Sequence, residues 1–158
     1  MTSTTTFRAG AQGEGGSLVG AKGIAGLVVL LLVSVALPFI FLPMEASWGH
    51  LAFHLIGIVV CTLAVMLLRG LRRASASKVV RVLTWVATVA YVGWTIGHVG
   101  ELGVVVTHGG AHADQHVFEH PVHTFFATIS IPSWMAAMAM MLVLLVAVIV
   151  HVVRRPRT

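Results

Sequence analysis

The chain has 158 residues, of which 58% are hydrophobic and only 9% are charged. This number of charged side chains is too small to cover the surface of a water-soluble globule of this size. The composition therefore excludes a soluble domain and indicates one membrane domain. The net charge of +5 comes from basic clusters without interleaved aromatic residues, which favours contact with the lipid bilayer and excludes a nucleic-acid partner.

Four apolar segments are long enough to cross a membrane, since a spanning helix needs about 20 apolar residues. They cover residues 21–43, 49–68, 79–106 and 122–153. Backbone polar groups in lipid must be satisfied within the segment, so each segment is predicted to be a helix. The sequence therefore predicts an all-α integral membrane protein, a four-transmembrane-helix bundle over residues 21–153. A flexible tail over residues 1–20 and a basic tail over residues 154–158 are expected to flank it.

The basic residues predict the orientation of this bundle. All ten Lys and Arg residues fall before or at the start of the first segment, between the second segment and the start of the third, or after the fourth. Short loops rich in Lys and Arg stay in the cytoplasm, so both termini are expected inside (N-in/C-in), with residues 44–49 and 104–122 outside. Eight of the ten are Arg, and Ala, Val and Gly are abundant, which is typical of a high-GC bacterial genome and so of a bacterial inner membrane.

Prolines and glycines mark special points along the predicted helices. Pro38 lies inside the first segment and predicts a bend near its outer end. In the third segment, Gly93 and Gly97 are spaced so that another helix or a flat ligand can approach the backbone closely. Pro121 suits the first position of the fourth helix, so Glu119 or His120 is expected to cap it.

Histidines and one acid form matching stripes on the second and third helices. His50 and His54 are four residues apart on the second helix, and His98 and Glu101 are three residues apart on the third, so each pair lies on one face of its helix. The two helices run antiparallel, and counting from their outer ends places His54 level with His98 and His50 level with Glu101. Ionisable groups within a membrane are costly and are candidates for function, although neutral histidines can also bond a neighbouring helix.

The outer loop contains a second set of histidines, which recur every four residues from His108 to His120, with His123 three residues later. Imidazole is a common ligand of zinc and copper, and pairs at i, i+4 can chelate one ion. A solvated polar loop that uses His in place of Lys is the alternative interpretation. Together the two sets predict these metal ligands: His50, His54, His98, Glu101, His116, His120 and His123.

Three functions fit the sequence. The first is a histidine and carboxylate site for a transition metal ion, zinc or copper, at the outer face of an accessory or metal-handling subunit of a larger membrane complex. The second is a haem b electron-transfer subunit, with His54 and His98 as axial ligands and glycines that make room for the ring. The third is a structural accessory subunit without a ligand. Partners would be other membrane proteins or further copies of the chain, and no arrangement of residues predicts an enzyme.

Overall fold

The computed structural model describes residues 20–41, 48–112 and 115–154; nearly all of the expected N-terminal tail, and the basic tail beyond Arg154, lie outside this range. Within it the protein is all-helical. The four long helices are α1 (Ala21–Phe41), α2 (Trp48–Ala74), α3 (Lys78–Thr107) and α4 (Pro121–Val153), and each is long and apolar enough to cross a membrane. Two short 3₁₀ helices, Gly110–His112 and Gln115–Glu119, lie in the loop between α3 and α4. The fold class is confirmed at this level, whereas the orientation of the termini stays a prediction.

Polar side chains define where α3 and α4 begin. Ser77 has extended backbone angles, and its Oγ accepts a hydrogen bond from the backbone N–H of Val80, which would otherwise be unsatisfied in the first turn. His120 does the same for α4, because its Nδ1 accepts from the N–H of Val122 at 3.3 Å. The expected cap of the fourth helix is therefore confirmed, with His120 as the capping residue and Pro121 as the first helical position.

Helix α3 is central to the packing, since its most extensive contacts are with α4 and α2, while α1 lies against α2 and α4. Two of the glycines in α3 explain the close fit of α4. A Cβ at Gly97 would overlap Ser130, and a Cβ at Gly93 would overlap Ser133. The predicted small-residue pair is thus the contact surface for another helix.

Helix α1 is attached to the bundle through the backbone carbonyl of Ser34. Pro38 has no N–H, so the carbonyl four residues earlier lacks its usual partner in the helix. The indole N–H of Trp134 in α4 donates to this carbonyl at 3.0 Å. The Ser34 hydroxyl, which is fully buried, lies 3.0 Å from the phenol oxygen of Tyr91 in α3. The proline therefore frees an acceptor that fastens α1 to α4.

Candidate metal centre

Three helices bring their polar side chains to one place near the end of the bundle where the α3–α4 loop lies. Helix α2 contributes His50 and His54, α3 contributes His98 and Glu101, and α4 contributes His123. His54 and His98 are fully buried, and Glu101 and His123 are each 6% exposed. Four of these ionisable side chains are thus held away from solvent, and His50 is half-buried, within helices that could span a membrane.

The ring nitrogens of His50, His54 and His123 converge. His50 Nε2 lies 3.1 Å from His54 Nε2 and 3.2 Å from His123 Nε2. One ring nitrogen from each of the three lies within 4.8 Å of the others, and in the described part of the chain these residues form the group close enough to share one metal ion. A neutral imidazole nitrogen carries either one N–H or one lone pair, so His50 Nε2 cannot make two good hydrogen bonds at once.

Glu101 adds a carboxylate at the edge of this group. Its Oε2 lies 3.7 Å from Nε2 of His54 and 3.7 Å from Nε2 of His123. The sequence predicted His50 as the neighbour of Glu101, whereas the structure places His54 and His123 beside the carboxylate and gives His50 these same two histidines as partners. The other carboxylate oxygen, Oε1, is buried without a hydrogen-bond partner among the described residues.

His98 touches the group from outside. Its Nδ1 lies 3.0 Å from Nδ1 of His54, as the matched depth of the two residues predicted. Its ring packs against Phe53 and Trp94, with centroids 4.9 and 5.2 Å away. Its Nε2 faces the backbone of Gly57, where a Cβ would overlap it, and has no hydrogen-bond partner in the part of the chain that is described. His98 thus contacts one member of the group and none of its converging nitrogens.

The residues do not fit a haem group as they lie. Axial histidines need a porphyrin between them, yet His54 and His98 are in direct contact through their Nδ1 atoms. The glycines that were expected to make room for the ring receive protein side chains instead. Gly57 accommodates His98, Gly97 accommodates Ser130, and Gly100 faces Phe126.

The loop histidines remain apart from the buried group. His116 Nδ1 lies 3.7 Å from Glu119 Oε2, and both side chains are more than four-fifths exposed. His120 caps α4, and its ring lies 4.7 Å from that of His108. The structure brings neither His116 nor His120 to the converging nitrogens, and their role as metal ligands stays a prediction.

An aromatic residue of the loop reaches the site, although the sequence did not predict it. The Phe118 ring packs edge-on against His50 at 4.6 Å and against His123 at 5.7 Å. Phe118 therefore covers the histidines on the side of the α3–α4 loop. Its position beside Val117, as an apolar pair within a histidine-rich stretch just before the cap of α4, was the available signal.

No protein-family model matches the chain, and neither a curated protein nor a solved structure matches it. Functional conclusions therefore depend on the geometry of the buried group.

Proposed function

We propose that the protein holds a divalent transition metal ion on Nε2 of His50, His54 and His123, with Glu101 as the fourth ligand. The convergence of the three nitrogens carries this proposal. Two nitrogens bound to one tetrahedral zinc ion at about 2.0–2.1 Å from the metal lie about 3.3 Å apart. The separations of 3.1 and 3.2 Å at His50 are close to that value, and they leave hydrogen bonding unsatisfied without an ion.

The ligand types favour Zn(II), with Cu(II) as the second choice. Neutral imidazoles and a carboxylate suit these ions better than Cu(I), which prefers sulfur. The carboxylate also offsets part of the charge of the ion, which matters in a low-dielectric membrane. Glu101 would move toward the ion from its present distance of 3.7 Å from the nearest histidine nitrogens.

His98 serves as a positioning residue in this proposal. When His54 binds the ion through Nε2, its Nδ1 carries the proton and donates to Nδ1 of His98, 3.0 Å away. Such a second hydrogen bond fixes the tautomer and orientation of a metal-bound histidine. His98 thereby holds the His54 ring, and it is not itself a ligand.

The site would lie at the outer face of a bacterial inner membrane. Lys and Arg cluster around the α2–α3 connection and the chain termini, away from the histidines, which is the arrangement that the positive-inside rule gives for N-in/C-in proteins. The described residues form four helices joined by short connections, which supports an accessory or metal-handling role within a larger membrane assembly.

Elemental analysis of the purified protein tests the proposal, with an optical spectrum to detect haem. Stoichiometric zinc or copper is expected in the wild type and in His112→Ala, an exposed loop variant. His54→Ala should lose the ion, because it removes a central nitrogen. A haem absorption band, or equal metal content in both variants, would contradict the proposal. Absence of any ion would leave the structural accessory role.

A proton relay is a second candidate, because His54 contacts a different imidazole through each of its two ring nitrogens. Its Nδ1 lies 3.0 Å from Nδ1 of His98, and its Nε2 lies 3.1 Å from Nε2 of His50, so a proton can pass from ring to ring among these three residues. Chains of such groups carry protons in some pumps and transporters. A metal-free protein that conducts protons in liposomes, with conduction lost in His50→Ala, would favour this candidate over the metal site.

A further inference from the structure

A cavity of about 510 Å³ lies beside the histidine group. It is lined by residues of α1 and of the ends of α2, α3 and α4 that carry the site. One end is polar, with Glu101 and Ser130 among its lining residues. The rest is mainly aromatic and aliphatic and includes Trp94 and Trp134. Cavities of this size and mixed lining are typical of small-molecule sites.

The polar end of the cavity contains a buried carboxyl oxygen that lacks a hydrogen-bond donor in the described part of the chain. Glu101 Oε1 is buried without a partner among the described residues, and this oxygen is the one that does not meet the histidines, since Oε2 contacts His54 and His123. A buried carboxyl oxygen that lacks a donor is costly. A hydroxyl donor from a ligand at this end of the cavity would satisfy this oxygen, since Ser130, which lines the same end, is not its hydrogen-bond partner.

The remaining walls indicate the shape and origin of the occupant. Indole rings of Trp94 and Trp134 present flat surfaces, and the Trp134 N–H is already used by the Ser34 carbonyl. Phe39 and Ile131 line the same cavity although they are 67% and 58% exposed on the outside of the bundle. The cavity therefore reaches the surface that lipid would cover, between α1 and α4.

We infer that this cavity binds a lipid-soluble aromatic alcohol, a phenol or hydroquinone ring on an apolar tail, whose hydroxyl donates to Glu101. The ring lies against the indoles, and the tail leaves toward the lipid past Phe39 and Ile131. A plain acyl chain matches the apolar walls but offers no donor to Glu101 Oε1. The contact uses the oxygen that faces away from the histidines, so it stands whether or not an ion occupies the metal centre.

Quenching of tryptophan fluorescence tests this inference. Trp48 and Trp85 are replaced by Phe, so that the signal comes from Trp94 and Trp134. The probes are a brominated decyl hydroquinone, whose bromine quenches indole on contact, and its dimethyl ether, which has no hydroxyl donor. The full chain in lipid nanodiscs is titrated as purified and again after treatment with a chelator, so that a failure of metal binding is recorded separately.

The hydroquinone is expected to quench at about ten-fold lower concentration than the ether, as one buried hydrogen bond predicts. Ala127→Leu, which fills the cavity, should abolish this difference, whereas Ala136→Leu, at an exposed position on the same helix, should keep it. Equal quenching by the two probes in the wild type would overturn the inference, even if Ala127→Leu failed to accumulate. A preserved difference in folded Ala127→Leu would also overturn it.

Discussion

The two halves of the bundle fill the space between their helices in different ways. In the apolar half, toward the α2–α3 connection, the interior consists of fully buried residues such as Cys61, Leu68, Met141 and Leu144. In the polar half, toward the α3–α4 loop, His54 and His98 occupy equivalent interior positions with no exposure. The same helices thus carry a dry core at one end and a histidine cluster with an adjacent cavity at the other.

The two halves differ in role: the apolar half stabilises the contacts between the helices, and the polar half carries the groups that are proposed to bind a ligand. Lipid tails are as apolar as leucine, so the apolar half gains its stability from close van der Waals packing. Buried imidazoles and a carboxylate cost free energy unless they find partners. Two polar atoms of the cluster, His98 Nε2 and Glu101 Oε1, lack one among the described residues. The polar half therefore lowers stability unless a ligand, such as the proposed metal ion, partners its buried groups.

Truncation in the apolar half should have the largest effect on stability and none on the ligand. Leu68 is fully buried, so Leu68→Ala leaves a cavity and is expected to reduce the free energy of unfolding by about 2–5 kcal/mol. Unfolding in mixed detergent measures this, and metal content is determined in parallel. A parallel loss of metal from the folded variant would show that the two halves do not act separately.

Gly57 lies where the two halves meet, and a methyl group there tests how tightly the polar half is packed. Gly57→Ala would push against the His98 ring and is expected to lower stability by about 1–3 kcal/mol. Gly103→Ala is the matched control, because a Cβ at that helical glycine meets nothing within 4 Å. Equal stability of the two variants in the same unfolding assay would show that His98 can move aside freely.

The role of His98 is sharpened by replacing its ring. His98→Phe keeps an aromatic ring beside Trp94 but removes the acceptor for His54, so metal affinity should fall about 10–100-fold without being abolished. His98→Gln, which retains an acceptor, should restore part of the affinity. Competition with a chelator of known affinity measures both variants. Complete loss in both would make His98 a ligand rather than a positioning residue.

Much of the fold followed from the sequence, because length and apolar composition are sufficient to identify spanning helices. In the structure, α3 and α4 begin and end within one residue of the predicted bounds, whereas α2 continues to Ala74, past its predicted end at residue 68. Contact of His54 with His98 could also be predicted, since it depends on the depths of two antiparallel helices.

The rest could not be predicted, because it depends on how each helix is rotated and which helices adjoin. The pairing of Glu101 with His54 in place of His50 is set by how α2 and α4 pack against α3. The bond from Trp134 to the Ser34 carbonyl joins residues 100 positions apart. Pro38 signalled a free carbonyl nearby, but no local pattern identified the donor.

The smallest expected effect concerns the attachment of α1, which forms one wall of the cavity in the polar half. Trp134→Phe keeps an aromatic wall but leaves the Ser34 carbonyl without its donor, since Pro38 cannot supply one. Hydrogen bonds between membrane helices contribute about 0.6 kcal/mol on average, and an unmet buried acceptor about 1–3 kcal/mol. A loss of about 1 kcal/mol is therefore expected in the unfolding assay.

A double-mutant cycle with Pro38→Ala identifies the cause of this loss. Alanine at position 38 restores a backbone N–H, which can donate to the Ser34 carbonyl in the ordinary helical pattern. In that background the carbonyl no longer depends on Trp134, so Trp134→Phe should cost measurably less than it does beside Pro38. An equal cost in both backgrounds would mean that the indole stabilises the bundle through ring packing alone. The free carbonyl at Pro38 would then not be what fastens α1 to α4.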